Sequence, residues 1–337
     1  MIILRKLLFP FAILYGIITS IRNFLYDNSV FKSYSFQVPI IGVGNLSVGG
    51  TGKTPQIEYL IRLLSTNYKV AVLSRGYKRK SEGFVLADEN ISAEILGDEP
   101  FQIFKKFQDI QVAVDANRKN GIERLLNSAV KPNVILLDDA FQHRRVKAGF
   151  YILLTSYNDL YCDDFILPTG NLRESRSGAK RADIIVVTKC PPTISQEEMT
   201  LVNTKLSASQ SVYFSTIAYD EFVYNENSSL PINEILFKEK LLIAGIAKPD
   251  FFFDYLKQPS DETLTFPDHH NFTESDIEKI KTSAKNHLII TTEKDFVRLK
   301  GKLPEEQLFF LPIKSKFINS GQSFDAEIIS FIENFKP

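Results

Sequence analysis

Between Gly44 and Thr54 the chain reads GNLSVGGTGKT, a glycine-rich loop closed by Lys-Thr, a composition suited to gripping the phosphates of a nucleotide. Gly49, Gly50 and Gly52 let the backbone curl until its N–H groups face an anion, and a helix starting just after would add the positive end of its dipole. Ser47, Val48 and Thr51 complete the expected cradle. Lys53 is placed to reach the β and γ phosphates and Thr54 to offer its hydroxyl to Mg²⁺, so ATP and Mg²⁺ are the expected cofactors. The strict pattern GxxxxGK[ST] asks for glycine where Ser47 stands. The surroundings supply the rest of the signal.

A second cluster supports the first. Val134, Ile135, Leu136 and Leu137 make a short apolar run ending in Asp138 and Asp139, the arrangement by which phosphate-loop enzymes hold Mg²⁺ from a neighbouring strand. Asp also caps turns, so this run gains its meaning from the loop beside it. Asp98 and Glu99 stand before Pro100 at the start of an expected helix over Phe101–Phe107, where Asp98 reads either as a helix cap or as a functional carboxylate and Glu99 as a further metal ligand. Arg75 and Arg118 follow the expected strands Lys69–Ser74 and Gln111–Val114, at ends where open α/β sheets gather ligands. Arg173, Arg176, Lys180 and Arg181 make one local basic run; Lys180 and Arg181 read as solvated surface.

The elements needed to position these groups are legible around them. Val38–Val43 is an apolar, β-branched run before the loop, and Ile57, Leu60, Ile61 and Leu64 follow it at helical spacing. Strand and helix patterns alternate from Val38 onward, which predicts an α/β fold with parallel sheets covered on both faces. Residues 209–231 alternate apolar and polar and end in turn formers, suiting linker strands, and a second unit starts near Lys238 with the strand Leu241–Ile246. The strands Ile184–Thr188 and Leu288–Thr292 end in TK and TEKD, residues able to line a base pocket. The expected division is residues 1–26 as a membrane-associated helix, 27–215 as a phosphate-loop kinase domain, and 216–337 as linker strands with a smaller α/β domain.

The chain has 337 residues, with forty basic residues against forty acidic ones, so nothing recruits nucleic acid by charge alone. Cys162 and Cys190 lack metal-ligand or disulfide-framework spacing. From Leu7 to Ile21 run fifteen residues without a charge, roughly 22 Å as a helix against about 30 Å for a bilayer core. Arg5, Lys6, Thr19, Ser20, Arg22, Asn23 and Asp27 fall on one side of that helix, with Ala12 and Gly16. A helix lying in a membrane interface fits this pattern; a core helix or a secretory signal would share its apolar run, though no A-x-A-like cleavage site follows.

The ordered blocks GNLSVGGTGKTP, SRGYKRK, GDEP, DDAFQHR, LPTGNLRES, FPDHHNF and TTEKD resemble the motif set of the lipid A 4'-kinase (tetraacyldisaccharide 4'-kinase) family, from residue 1 to about residue 295. The resemblance implies transfer of the γ-phosphoryl of ATP to the 4'-hydroxyl of a tetraacylated glucosamine disaccharide 1-phosphate, giving lipid IVA. It also implies a phosphate-loop NTPase-like core, a smaller α/β domain, and a place at the cytoplasmic face of the inner membrane. A sugar hydroxyl needs a proton acceptor. In the family the residue matching Asp98 is the base, paired with a histidine matching His269; Lys53, Asp138 and Asp139 complete the catalytic set, and Arg75, Arg118, Asn171 and Arg173 face the substrate. The expected partners are the lipid substrate and a membrane surface, with the chain acting as a monomer. A nucleotide-driven switch or metallochaperone is the alternative; it predicts clustered Cys and His ligands or switch-loop threonines.

Overall fold

Apolar, β-branched runs become strands in the order the alternating pattern requires: β1 (Ile40–Asn45), β2 (Val70–Ser74), β3 (Val85–Leu86), β4 (Gln111–Val114), β5 (Val134–Asp138), β6 (Phe150–Ser156), β7 (Ile184–Thr188) and β8 (Ser211–Tyr219). Then come β9 (Phe222–Tyr224), β10 (Ser229–Pro231), β11 (Lys240–Ala244), β12 (Glu262–Thr265), β13 (Leu288–Thr292) and β14 (Leu308–Leu311), followed by β15 (Ile313–Phe317). The computed structural model describes residues 5, 7–246, 249–268 and 270–336. The chain divides into two units, residues 1–217 with 315–337, and Ala218–Lys314.

In the first unit nine strands run in the order β15-β8-β7-β6-β1-β5-β2-β4-β3. β1 pairs in parallel with β5 on one side and β6 on the other, which puts the glycine loop after β1 next to the acidic end of β5. Every residue of β1, β2, β5 and β7 is buried, as continuous apolar strands between helical layers should be. Alternate side chains enter opposite layers: Ile41, Val43, Val70, Val72 and Leu136 join one core cluster, while Ile40, Ala71, Leu73, Ile135 and Leu137 join another. Gly44 has no room for a side chain, since a Cβ there would sit 2.7 Å from Cβ of Phe141.

Four helices matter for the site. α1 (Phe9–Asp27) opens the chain, α2 (Lys53–Leu64) follows the glycine loop, α3 (Asp98–Lys106) carries the carboxylates near Pro100, and α4 (Arg118–Leu126) follows β4. Ile57, Leu60, Ile61 and Leu64 are all fully buried, the stripe the sequence predicts for α2. Glu58, also buried, pairs with Lys106 at 2.7 Å and so ties α2 to α3. α1 starts with Pro10 in its first turn and buries Ala12, while Phe9, Phe11, Ile13, Leu14, Ile17, Ile18 and Ile21 stay exposed. Its apolar side faces outward, so it is not a core helix. It is long and apolar enough to cross a membrane by length and composition.

The expected domain division differs from the observed one at the C-terminus. α5 (Gly321–Glu333) returns to the first unit, where Phe324, Ile328 and Ile332 at four-residue spacing join the same core cluster as α2. Tyr59 and Tyr213 donate hydrogen bonds to Asp325 and Glu327, at 2.8 and 2.7 Å. In the second unit six strands run in the order β10-β9-β14-β13-β11-β12, with β11, β12, β13 and β14 parallel and β9 antiparallel to β14. Asp261 and Lys240 form a fully buried ion pair there at 2.7 Å. Asp295, of the TEKD run, accepts from the Gly245 amide and the Thr292 hydroxyl, bracing the ends of β11 and β13 rather than lining an open pocket.

Candidate functional site

The loop after β1 takes the shape its glycines permit. Gly49 and Gly52 have φ of 114° and 82°, conformations that side-chain-bearing residues rarely adopt, and the turn at Gly52 launches α2 with Lys53 as its first residue and Thr54 as its second. Ser47 bridges Leu172, and the Val48 amide donates to the Asn171 carbonyl at 2.8 Å, so one flank of the loop is fastened to the 167–174 segment. The other flank rests on the end of β7. Thr188 Oγ1 donates to the Thr51 carbonyl at 2.8 Å, and Lys189 Nζ to the Gly50 carbonyl at 2.5 Å. The TK pair read as a base-pocket lining is thus also a brace for Gly50 and Thr51.

Four polar groups, three of them charged, meet at the ends of β1 and β5. Arg173 grips Asp139 with both terminal nitrogens, at 2.9 and 3.0 Å, and also donates to the Asn45 side chain. Lys53 Nζ stands 3.6 Å from the Asp139 carboxylate and 3.4 Å from Asn45 Oδ1. Burial opposes the charge on Asp139, but the hydrogen bonds from Arg173 and the charge of Lys53 win and hold its carboxyl far below the usual range. Asp139 therefore serves two cations, whereas the sequence places it beside Asp138 as a metal ligand.

Asp138 has the opposite character. It is buried, Ser74 Oγ donates to its Oδ2 at 3.0 Å, and no hydrogen bond reaches its Oδ1. Burial, then the charge of Glu99, pushes its pKa up to about 6. An ionisable carboxylate with a buried, unused oxygen beside a second carboxylate is a donor set that fits Mg²⁺ or its water. Among the described residues no cluster of three or more His, Cys, Asp or Glu suits a metal.

The remaining predicted residues fall at various distances from this centre. Asp98 is the first residue of α3, exposed, and follows Gly97, which occupies the cap position; no side chain caps that helix, so Asp98 is not its cap. Arg75 is exposed at the end of β2. Arg118 was expected at phosphate, but it is buried and donates to the carbonyls of Asp115 and Asp138, at 2.6 and 2.9 Å. Burial lowers its pKa to about 10, still cationic near neutrality. Asn171 gives its side-chain oxygen to Arg5 at 3.1 Å rather than to open space. His269 lies outside the described residues; its neighbour His270 contacts Asp276 at 2.9 Å.

Several groups of the site carry no spacing signal. Asn45 ends β1 and accepts from Lys53 and Arg173. His143 is kept neutral, its pKa lowered to about 4 by burial and then by the charges of Arg118 and Arg75. Glu174 is buried and accepts from Gln142, Arg181 and Asn23. Arg181, expected as solvated surface, is half-buried on Glu174 at 2.8 Å with its guanidinium over the Phe141 ring. The hint in the sequence was that Asn45, Gln142, His143 and Glu174 stand inside the quoted motif blocks.

Residues 4–333 match the family described as tetraacyldisaccharide-1-P 4'-kinase. A tetraacyldisaccharide 4'-kinase of Flavobacterium johnsoniae is 65% identical over 99% of both chains. One from Phocaeicola vulgatus is 44% identical over 98% of this chain and 95% of its own. Among solved structures, LpxK of Aquifex aeolicus in complex with ATP superimposes with a TM-score of 0.81 at 31% identity, covering 98% of this chain and 99% of that one.

Proposed function

The chain belongs to the tetraacyldisaccharide 4'-kinase family and is an ATP-dependent kinase of lipid A biosynthesis, and from that premise we propose which of its residues perform the transfer to the 4'-hydroxyl. The observation that carries the assignment is the meeting of Lys53, Asn45, Arg173 and Asp139 at the mouth of the glycine loop, beside the half-satisfied Asp138. Backbone amides of residues 47–54 hold the phosphates, and Lys53 stabilises the charge that develops as the γ-phosphoryl moves. Thr54, Asp138 and Glu99 are the residues that would hold Mg²⁺, which when bound neutralises phosphate charge. Asp139 orients Lys53 and Arg173 rather than the metal.

Asp98 is exposed at the tip of α3 and takes the proton of the attacking hydroxyl, with His269 in the supporting role that the family resemblance gives it. Arg75 and Asn171 remain the groups assigned to substrate, while Arg118 acts through the backbone of Asp138. The acceptor is the acylated glucosamine disaccharide 1-phosphate, and the product is lipid IVA. The outward apolar side of α1 rests in the cytoplasmic face of the inner membrane, where an acylated substrate and ATP are both present, and the protein works there as a monomer. The deciding experiment incubates the purified protein with labelled ATP, Mg²⁺ and the acylated disaccharide 1-phosphate. A new phosphate on the distal sugar is expected; ATP hydrolysis alone would refute the assignment of acceptor.

A further inference from the structure

A helix that merely anchors a protein needs no polar contacts with a catalytic segment, yet the inward side of α1, together with Arg5 just ahead of it, is bonded to the 168–174 segment. Arg5 donates to the carbonyls of Pro168 and Gly170, at 3.2 and 2.6 Å. Tyr15 Oη donates to the Arg173 carbonyl at 3.0 Å, and Asn23 Nδ2 to Glu174 Oε2 at 2.6 Å. Gly16 lets the helix approach closely, since a Cβ there would sit 3.2 Å from Ile166 Cδ1. The same short segment makes the bidentate contact with Asp139, and its Arg173 amide donates to the Leu46 carbonyl at 2.7 Å.

We propose that Asn23 and Tyr15 are positioning residues for phosphoryl transfer, acting through Glu174 and the Arg173 backbone to hold the Arg173 guanidinium on Asp139. Glu174 is 3% exposed, and its other oxygen accepts from Gln142 and Arg181. Gln142 in turn donates to the Asn45 carbonyl at 3.0 Å. From Asn23 to the backbone carbonyl of Asn45, whose side chain accepts from Lys53, there are therefore two intervening side chains, all joined by hydrogen bonds. A buried carboxylate holds its donors in narrow geometry, because each lost donor leaves charge without solvation. Displacement of Glu174 moves Arg173, its neighbour in the chain, and a small misplacement of a cation at the reacting phosphate costs rate more than ground-state binding.

The test exchanges donor and acceptor. Asn23→Asp sets two carboxylates against each other and should lower kcat by about tenfold, the factor for loss of one charge-assisted hydrogen bond, with KM for ATP within about twofold of wild type. Glu174→Gln alone should also slow turnover. Combined with Asn23→Asp it rebuilds the contact with the amide and the carboxylate exchanged, keeps the oxygen that accepts from Gln142 and Arg181, and should restore kcat to within about threefold. Tyr15→Phe removes one hydroxyl, is the mildest change, and should lower kcat about threefold with KM for ATP unchanged. The proposal is overturned if Tyr15→Phe and Asn23→Asp both turn over at the wild-type rate, or if the double variant is no faster than its slower parent. Should Asn23→Asp fail to fold, wild-type kcat in Tyr15→Phe overturns it alone.

Discussion

Asp138→Asn should make the nucleotide-free protein more stable above neutral pH and less stable in acid. Burial and the charge of Glu99 raise the Asp138 pKa to about 6, so the folded state favours the proton more than the unfolded chain does. Stability from this group is full below the unfolded value near 4, fades as the pH rises through about 6, and leaves a cost of about 3 kcal/mol above that. Asparagine carries no charge and escapes this cost. Its carbonyl can still accept from Ser74, but its amide enters the place of the oxygen that has no partner, at a penalty of about 1–2 kcal/mol at every pH. The balance is a gain of about 1–2 kcal/mol near pH 8 and a loss of similar size near pH 3.5, below the unfolded value. Calorimetry in chelator should therefore find the variant unfolding about 2–6 °C above wild type at the higher pH and below it at the lower. Added Mg²⁺ and ATP should stabilise wild type much more than the variant. A difference in unfolding temperature that keeps one sign across this range would refute the account of Asp138.

Lys53→Ala should lower kcat by about 10²–10³ with an unchanged circular dichroism spectrum, and near-normal phosphotransfer would remove the phosphate loop from the mechanism. Asp98→Ala and His269→Ala should each cut kcat while sparing ATP affinity, and the double variant should be scarcely slower than the poorer single one; losses that multiply would separate their roles. Replacing Phe11, Leu14 and Ile18 together by Glu should prevent flotation with anionic lipid vesicles, since those side chains are exposed on α1; undiminished flotation would move the membrane contact elsewhere. Gly44→Ala should destabilise the first unit by about 1–3 kcal/mol, read from urea unfolding, because the new methyl meets Cβ of Phe141 at 2.7 Å and its amide nitrogen at 2.8 Å.

Local chemistry was the part of this protein most open to reading. The glycine loop, the strand ending in Asp138 and the apolar stripe of α2 each follow from spacing within one element, where composition and backbone preference agree. Partnerships between distant segments were hidden. Nothing near Arg181 announces that Glu174 and Phe141 will draw it inward, and Asn45 gains its role only when β1 brings it to Arg173, which lies 128 positions along the chain. Arg118 looked like an open cation because strand ends gather ligands, but burial turned it toward carbonyl oxygens. The return of α5 was missed for a similar reason: a helical apolar stripe states that it must be covered, not by which sheet.

That return has a consequence for biosynthesis. Residues 218–314 form a contiguous stretch, so their sheet can assemble as soon as they leave the ribosome, whereas the larger unit has to wait for residues 315–337. Until then Tyr59, Tyr213 and Phe150 lack the aromatic partners Phe317, Phe324 and Phe331 that cover them in the finished protein. The nascent chain thus holds an unfinished apolar surface through the translation of its whole inserted unit, at about 5–20 residues per second. A premature stop just after residue 314 would leave that surface bare for good, and the expected fate of such a chain is capture by chaperones or proteolysis rather than a slow enzyme.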